Sequence, residues 1–330
     1  MKSNTLNLPG PIIALFLLIS VFFTSTQALA VECGATIVSP TILTQDLNCE
    51  LTEENPIALT VMGPFGSLTI EDAEILCSIQ APLASETFGV VLKGINASVS
   101  GGKISNCENG VSAEGQGSHS ISSIEIVNFN RDGIRLASNR NTVSNVMLTG
   151  LAGSGLADGI SVQGNNNSIS NCIVGGNGDE GIEILGDYTN ITFCHISGYE
   201  EEGIEVNGDY SNITQNVIQN NIDRGVTING NFTTVGQNII RFNGEIGVDI
   251  RNTLGSRITS NTILENGSQL SAEFGGIVIT GDEAAGNQII GNTVFNNEQF
   301  DLSDPFDPDC TGSNIWEGNQ FGSANPGCLN

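Results

Sequence analysis

Gly203-Ile204-Glu205-Val206-Asn207-Gly208-Asp209-Tyr210-Ser211-Asn212-Ile213-Thr214-Gln215-Asn216-Val217-Ile218-Gln219-Asn220-Asn221-Ile222-Asp223-Arg224 is one complete unit of a repeated pattern. Gly203 to Val206 alternates apolar and polar residues with period two, as a half-buried strand does. Asn207-Gly208-Asp209-Tyr210 is turn chemistry, because Asn-Gly tolerates left-handed backbone angles. Asn212-Ile213-Thr214 is a second short strand, Asn216 marks a corner, Val217-Ile218 is a third strand, and Gln219 to Asp223 closes the unit. The opening phrase recurs at Gly89, Gly110, Gly133, Gly159, Gly181, Gly203, Gly225, Gly247 and Gly276. From Gly159 to Gly247 the spacing is 22 residues without exception. A fixed period in this range means stacked units, each burying its apolar face only against its neighbours. The phrase order never inverts, so hairpins are excluded and the units coil in one direction with successive turns paired in parallel. β-Branched residues dominate and helical spacing is scarce, which excludes a helical repeat.

The pattern predicts an all-β chain: a right-handed parallel β-helix of about ten coils and three parallel sheets with disulfide-closed ends. Asn216, Asn238, Asn261 and Asn292 share one corner column, where stacked amides satisfy corner backbone groups. Cys172 and Cys194 occupy that column in earlier coils. They read as buried small apolar residues, with a bridge between adjacent rungs as the alternative.

The Gly-Ile-x-Ile phrases, the Asn-x-Ile-x-x-Asn-x-Ile phrases such as Asn212 to Ile218, and the Cys-bearing ends make the chain resemble secreted right-handed parallel β-helix repeat proteins of the pectin-lyase-like superfamily. The resemblance covers roughly residues 33 to 330. It bears on fold far more than on activity, since fold does not fix function.

Residues 1–30 read as a secretory leader: Lys2 is the basic start, Pro11 to Phe23 the apolar stretch, and Ala28-Leu29-Ala30 the cleavage site. The apolar stretch is too short to span a membrane, and no second candidate follows. Residues 31–66 are expected as an N-terminal cap, 67–300 as the repeats and 301–330 as a C-terminal cap. The formal net charge is −26, and losing Lys2 takes it to −27. Such a surface repels nucleic acid and anionic membranes, and the expected locale is extracellular. All eight Cys lie beyond the leader, in an oxidising compartment. Cys33 and Cys49 bracket the segment before the repeats and Cys310 and Cys328 the segment after them. Both pairs are expected to close an open end of the stack. Cys77 and Cys107 fall near the same place in consecutive coils; their pairing, like that of Cys172 and Cys194, is left open by spacing. No C-x-x-C motif suggests redox chemistry or zinc. Sequons at Asn96, Asn166, Asn190, Asn212, Asn231 and Asn266 are glycosylation candidates in a eukaryotic source.

In each phrase the third residue points outward, because its neighbours point inward. That column reads Val91, Ser112, Arg135, Ser161, Glu183, Glu205, Thr227, Asp249, Val278. The turn before it adds Asp179, Glu180, Glu200, Glu201, Glu202, Asp223, Arg224 and Glu245, and the turn after it adds Asp187 and Asp209. Like charges at rung spacing repel, so a cation, a raised pKa or plain solvation must answer them. Calcium, which takes several oxygen ligands, gives one reading, with Glu183, Glu205 and Asp249 as ligands. Solvation alone gives another. In the resembled superfamily active clefts lie on the outer face of this sheet and pectate lyases use Arg as the base. This makes Arg135, Glu183, Glu205, Arg224 and Asp249 candidate catalytic residues of a lyase or glycoside hydrolase. The Asp-Pro-His-Asp signature of mannuronan epimerases and the motif sets of polygalacturonases are missing. So are Gly-x-Ser-x-Gly, His-Glu-x-x-His and phosphate-loop motifs. His195 points outward on the third sheet, the wrong face for the acidic column.

Tyr188, Tyr210 and Phe232 form a second column, following the first sheet. Rings stacked on successive rungs stiffen a turn and equally suit a platform for sugar rings. The step from Gly133 to Gly159 adds Leu148 to Ala157, and the step from Gly247 to Gly276 adds Asn266 to Phe274. Both insertions precede the first sheet and bracket the acidic stretch. The expected function is binding, and on one reading processing, of an extracellular polysaccharide. The alternatives are a non-catalytic structural or adhesive surface protein and a calcium-dependent polysaccharide lyase.

Overall fold

The computed structural model describes residues 31–79, 85–150, 157–268 and 275–329. The expected leader lies outside these residues, as do residues 151–156 and 269–274 of the two insertions.

The described residues form a parallel β-solenoid without helix. A first sheet of thirteen strands runs from Ala35–Ile37 to Ala324–Asn325, a second of twelve from Pro40–Leu43 to Ile315–Glu317, and a third of twelve from Leu47–Leu51 to Gln320–Phe321. Consecutive members of each sheet come from consecutive coils, and the rungs are in register: Ile182 on Ile204, Ile191 on Ile213, Ile196 on Ile218. About twelve coils result, against the ten expected. The additional coils come from the ends, where strands such as Ile57–Met62 and Leu302–Ser303 join the sheets without the full glycine phrase. The segments expected as caps therefore contribute rungs of their own.

Stacked Ile and Val columns fill the interior. Ile182, Ile184, Ile191 and Ile196 of one coil and Ile204, Val206, Ile213 and Ile218 of the next are all fully buried. The phrase glycine is required by coil packing: a Cβ on Gly203 would lie 2.5 Å from the Ile218 side chain and 2.8 Å from the Gly225 carbonyl. Tyr199 is the largest fully buried side chain among the described residues. Gly159 and Gly176 make room for its hydroxyl, which has no hydrogen-bond partner.

The corners are held by side-chain ladders. Asn216 Nδ2 donates to Asn238 Oδ1 at 3.1 Å, and Asn238 to Asn261, Asn261 to Asn292 and Asn292 to Asn319 follow at 3.0 Å each. Each oxygen also accepts the backbone N–H of the residue one coil earlier, including that of Cys194, which bonds Asn216 at 2.8 Å. Cys172 and Cys194 are free thiols in this column, both buried. A second ladder runs through Asn221, Asn243, Asn266 and Asn297 and ends on Asp301. It overturns one sequence expectation. Asn266 is buried and its Nδ2 already donates to Ile240 O and Asn297 Oδ1, so a glycan on that nitrogen is incompatible with the folded coil. Asn96 and Asn166 stand exposed.

Three disulfides are present. Cys33–Cys49 and Cys310–Cys328 lie near the two ends, as expected, and Cys77–Cys107 staples neighbouring coils. Among the described residues no helix is long and apolar enough to cross a membrane.

The ladder sets the first prediction. Asn238 is 1% exposed and its side chain makes four hydrogen bonds, to Asn216 N, Asn216 Nδ2, Ile213 O and Asn261 Oδ1. Asn238→Ala strands several buried polar groups at about 1–3 kcal/mol each. Chemical denaturation should show a loss of about 3 kcal/mol or more. A loss below about 1 kcal/mol would mean the ladder contributes little.

Candidate functional site

On the outer face of the first sheet the rungs align Arg135, Ser161, Glu183, Glu205, Thr227, Asp249 and Val278 in one column, as the sequence predicts. A second column runs beside it, formed by the residue before each phrase glycine: Asp132, Asp158, Glu180, Glu202 and Arg224. Backbone hydrogen bonds from Gly133 to Asp158, Gly159 to Glu180, Gly181 to Glu202 and Gly203 to Arg224 fix these as consecutive rungs. Asp132 and Asp158 are absent from the sequence reading. The signal was available: an acid or arginine precedes the glycine in five successive phrases.

Charge along these columns is answered in two different ways. At one end Glu202, Glu245 and Asp249 converge on Arg224, at 3.1, 3.2 and 3.2 Å. Arg251 adds contacts of 3.0 Å to Asp249 and 3.7 Å to Glu202. Asp249 is 0% exposed and accepts from Thr280 at 2.5 Å. Burial pushes its carboxyl up, and Thr280, Arg251 and Arg224 pull it back. Asp249 was expected to face solvent as a calcium ligand. It lies instead beneath two arginines, so it does not belong to a cation-holding row with Glu183 and Glu205. Arg224 was a candidate base. Despite burial, which lowers its pKa, the carboxylates of Asp249, Glu202 and Glu245 hold it above the ordinary arginine value. It cannot accept a proton. At the other end Arg131 and Arg135 clamp Glu86 at 2.9 and 2.8 Å.

Between the arginines lie Asp158, Glu180 and Glu183, and among the described residues no basic side chain forms an ion pair with them. Here protons replace cations. Burial and the hydrogen bond to Asp158 push Glu180 up to about 10. Burial, then the charge of Asp132, pushes Asp158 up to about 7, with the hydrogen bond from Glu180 acting against it. Burial raises Asp132 to about 6 despite Arg135 and Arg131. Burial, then Glu205, raises Glu183. Asp158 and Glu180 thus share a proton at neutral pH. Glu205 is braced by the amides of Asn207 at 2.9 Å and Asn229 at 3.0 Å.

Five residues along the coil from Glu205 the chain turns at Tyr210. Tyr188, Tyr210 and Phe232 form a continuous stack, with ring centroids 4.9 and 5.0 Å apart and planes 5° and 13° from parallel. They are 53%, 46% and 49% exposed. All three adopt positive φ, between 55° and 58°, where Asn166 stands one rung earlier. That conformation suits Asn better than a ring, so the rings occupy a corner that local preference would give to another residue. Of the neighbouring sequons, Asn212 Nδ2 donates to Asn190 Oδ1 at 2.7 Å. His195 lies on the third sheet between Ile173 and Val217, away from this face.

The family described as right handed beta helix region matches residues 154–321. Comparison with curated proteins gives no match. Among solved structures, the Dettilon tailspike protein is similar with a TM-score of 0.67 and 15% identity, covering 86% of this chain. The chain spans 62% of that tailspike's length. The A-module of mannuronan C-5 epimerase AlgE6 of Azotobacter vinelandii has a TM-score of 0.55 and 16% identity, covering 88% of this chain and 87% of that one. The periplasmic alginate epimerase AlgG has a TM-score of 0.55 and 11% identity, covering 88% and 76%. At these identities the likeness is one of fold.

The shared proton makes stability pH-dependent with a definite sign. Groups whose folded pKa is raised bind more protons folded than unfolded, so their contribution is full below the unfolded carboxylate value and fades as pH rises through the folded one. For Asp132, Asp158 and Glu180 the window opens above pH ~4 and runs through about 6, 7 and 10. Melting temperature should fall between pH 5 and pH 8, and Glu180→Gln should flatten that slope and raise the melting point at pH 8. A wild-type melting point that climbs over this range would contradict the assignment.

Proposed function

The chain belongs to the right-handed beta helix family, and from that premise we propose that it binds an extracellular polysaccharide along the outer face of its first sheet. The observation that carries this reading is the exposed aromatic stack of Tyr188, Tyr210 and Phe232 beside the polar column of Glu183, Glu205, Asn207 and Asn229. Flat rings receive the apolar faces of sugars, and braced carboxylates and amides accept and donate to sugar hydroxyls. Repetition by rung matches a polymer better than a single small ligand. Of the similar structures one is by name a mannuronan C-5 epimerase module and another an alginate epimerase, which agrees with a polysaccharide but rests on fold. The three disulfides fit an extracellular setting.

Carboxylate chemistry favours a neutral, hydroxyl-rich chain, because a polyuronate meets like charge on this face. One arrangement favours a second reading, hydrolysis: burial and the hydrogen bond to Asp158 push Glu180 up to about 10, with Glu183 and Glu205 on the adjacent column. A held proton next to carboxylates is the composition of general acid catalysis. The lyase reading loses its support, since Arg224 is locked in ion pairs and Arg135 is clamped to Glu86.

Affinity electrophoresis and calorimetry over neutral and uronate polymers test the proposal. A neutral polysaccharide should bind, and Tyr210→Ala should weaken it about tenfold, ~1.4 kcal/mol, with the fold intact. Glu180→Gln should leave binding in place while abolishing any release of reducing ends. Binding that survives Tyr210→Ala unchanged would remove this face from the proposal.

A further inference from the structure

The acids described above lie on the first sheet and the turns beside it. The third sheet is the opposite case. The eight successive strands from Met147–Gly150 to Gln320–Phe321 contain no Asp or Glu, in a chain of net charge −26. His195 and Arg241 are the only chargeable side chains they carry. The second sheet is equally free of acids from Ser98–Ser100 to Arg257–Thr259, but its outward residues there are Ser, Thr and Asn, with Gly236 and Arg257 the exceptions.

On the third sheet the outward column is apolar instead. Met147 pairs with Ile173, Ile173 with His195, His195 with Val217 and Val217 with Ile239, so four apolar side chains and one imidazole stand in line. Phe193 stands at the corner before this sheet and Phe242 at the corner after it. Met147, Ile173, Phe193, Ile239 and Phe242 are each 40–55% exposed. Both phenylalanines adopt a φ of 57°. That conformation suits Gly or Asn better than a bulky side chain, so local preference does not put them there. Arg241 lies over the Phe242 ring at 5.3 Å and donates to Gln219 at 2.9 Å, which ties its charge down within the face. Glu265, one rung beyond Phe242, borders the strip. A contiguous apolar patch of this kind marks a surface that another surface covers.

Charge decides what covers it. A second copy of this acidic chain is repelled wherever carboxylates face carboxylates, and the apolar strip is an approach that avoids them. We propose that two copies pair through the outer faces of their third sheets. A two-fold pair is self-complementary. An axis between His195 and Val217 sets Ile173 of one copy on Ile239 of the other, because these residues lie one rung to either side of that centre. From the rung spacing the acid-free strip is about 34 Å long, and a strand with its two corner residues makes it about 17 Å wide. That is roughly 600 Å² per copy, the low end of specific interfaces, so the pair is reversible. Pairing leaves both first sheets facing outward and does not depend on what they bind.

Sedimentation velocity tests the pairing. From about 1 to 100 μM protein the sedimentation coefficient should rise from that of a monomer toward that of a dimer. The rise should come at lower protein concentration in about 0.5 M salt than in about 0.05 M, since screening relieves repulsion between two acidic chains. Ile173→Glu with Ile239→Glu should weaken association more than tenfold. Ile173→Thr with Ile239→Thr, which keeps β-branching, should weaken it severalfold. Both pairs of changes fall on exposed positions and should leave the melting point in place. Leu185→Glu, an exposed apolar residue beside the first sheet, should leave association unchanged. A monomer at every concentration, an assembly larger than a dimer, or equal association in the Ile173/Ile239 variants would overturn the proposal. So would a monomer that floats with phosphatidylcholine vesicles and loses that binding in the same variants, which would assign the strip to a lipid surface.

Discussion

Parallel pairing in exact register places each residue directly over its counterpart one coil away, about 4.8 Å distant, and everything else in the molecule follows from that. An apolar residue gains from the arrangement, because Ile packs on Ile through the interior. A polar or charged residue meets its own kind, and the conflict has to be resolved within the column. The Asn ladders resolve it with amides, which donate to one neighbour and accept from the other. At the corner with Tyr188, Tyr210 and Phe232 the solution is ring stacking.

Carboxylates lack that symmetry, since an ionised acid only accepts. The column before the phrase glycine shows both available remedies side by side. Arg224 takes one position in it and, with Arg251, neutralises Glu202, Glu245 and Asp249. One and two rungs before Glu202 no arginine is in place, and Glu180 and Asp158 share a proton. A face built this way is polar, partly neutral and rigid, bounded by arginine clusters and flanked by rings. These are properties suited to a long hydroxyl-bearing ligand, and Arg224 is too firmly charged for the base chemistry its position suggested.

The fold was legible because its signal is periodic. The glycine phrase, the Asn corner column, the outward column and the aromatic stack all follow from the 22-residue step. The end coils were harder to read: strands such as Ala35–Ile37 and Leu302–Ser303 lack the full phrase and join the sheets through backbone pairing. Alternation correctly assigned Asp249 to the outer face, but facing out of a sheet is not the same as reaching solvent. Arg224, Arg251 and Thr280 close over it, and these come from its own coil and both neighbours. Asp132 and Asp158 escaped because the outward column was sought within strands, whereas they sit one residue earlier, and the 26-residue step between Gly133 and Gly159 breaks the count there. Asn266 carried two patterns at once, a sequon and a ladder position, and only packing decides between them.

The shared proton on Glu180 is the most specific consequence of stacked carboxylates, and infrared spectroscopy of the carboxyl C=O stretch reads it directly. At pH 8 the wild type should retain a protonated-carboxyl band that Glu180→Gln removes, while Glu205→Gln leaves it in place. A spectrum at pH 8 with carboxylate bands alone would contradict it, and would mean that the column is met by solvent rather than by its own protons.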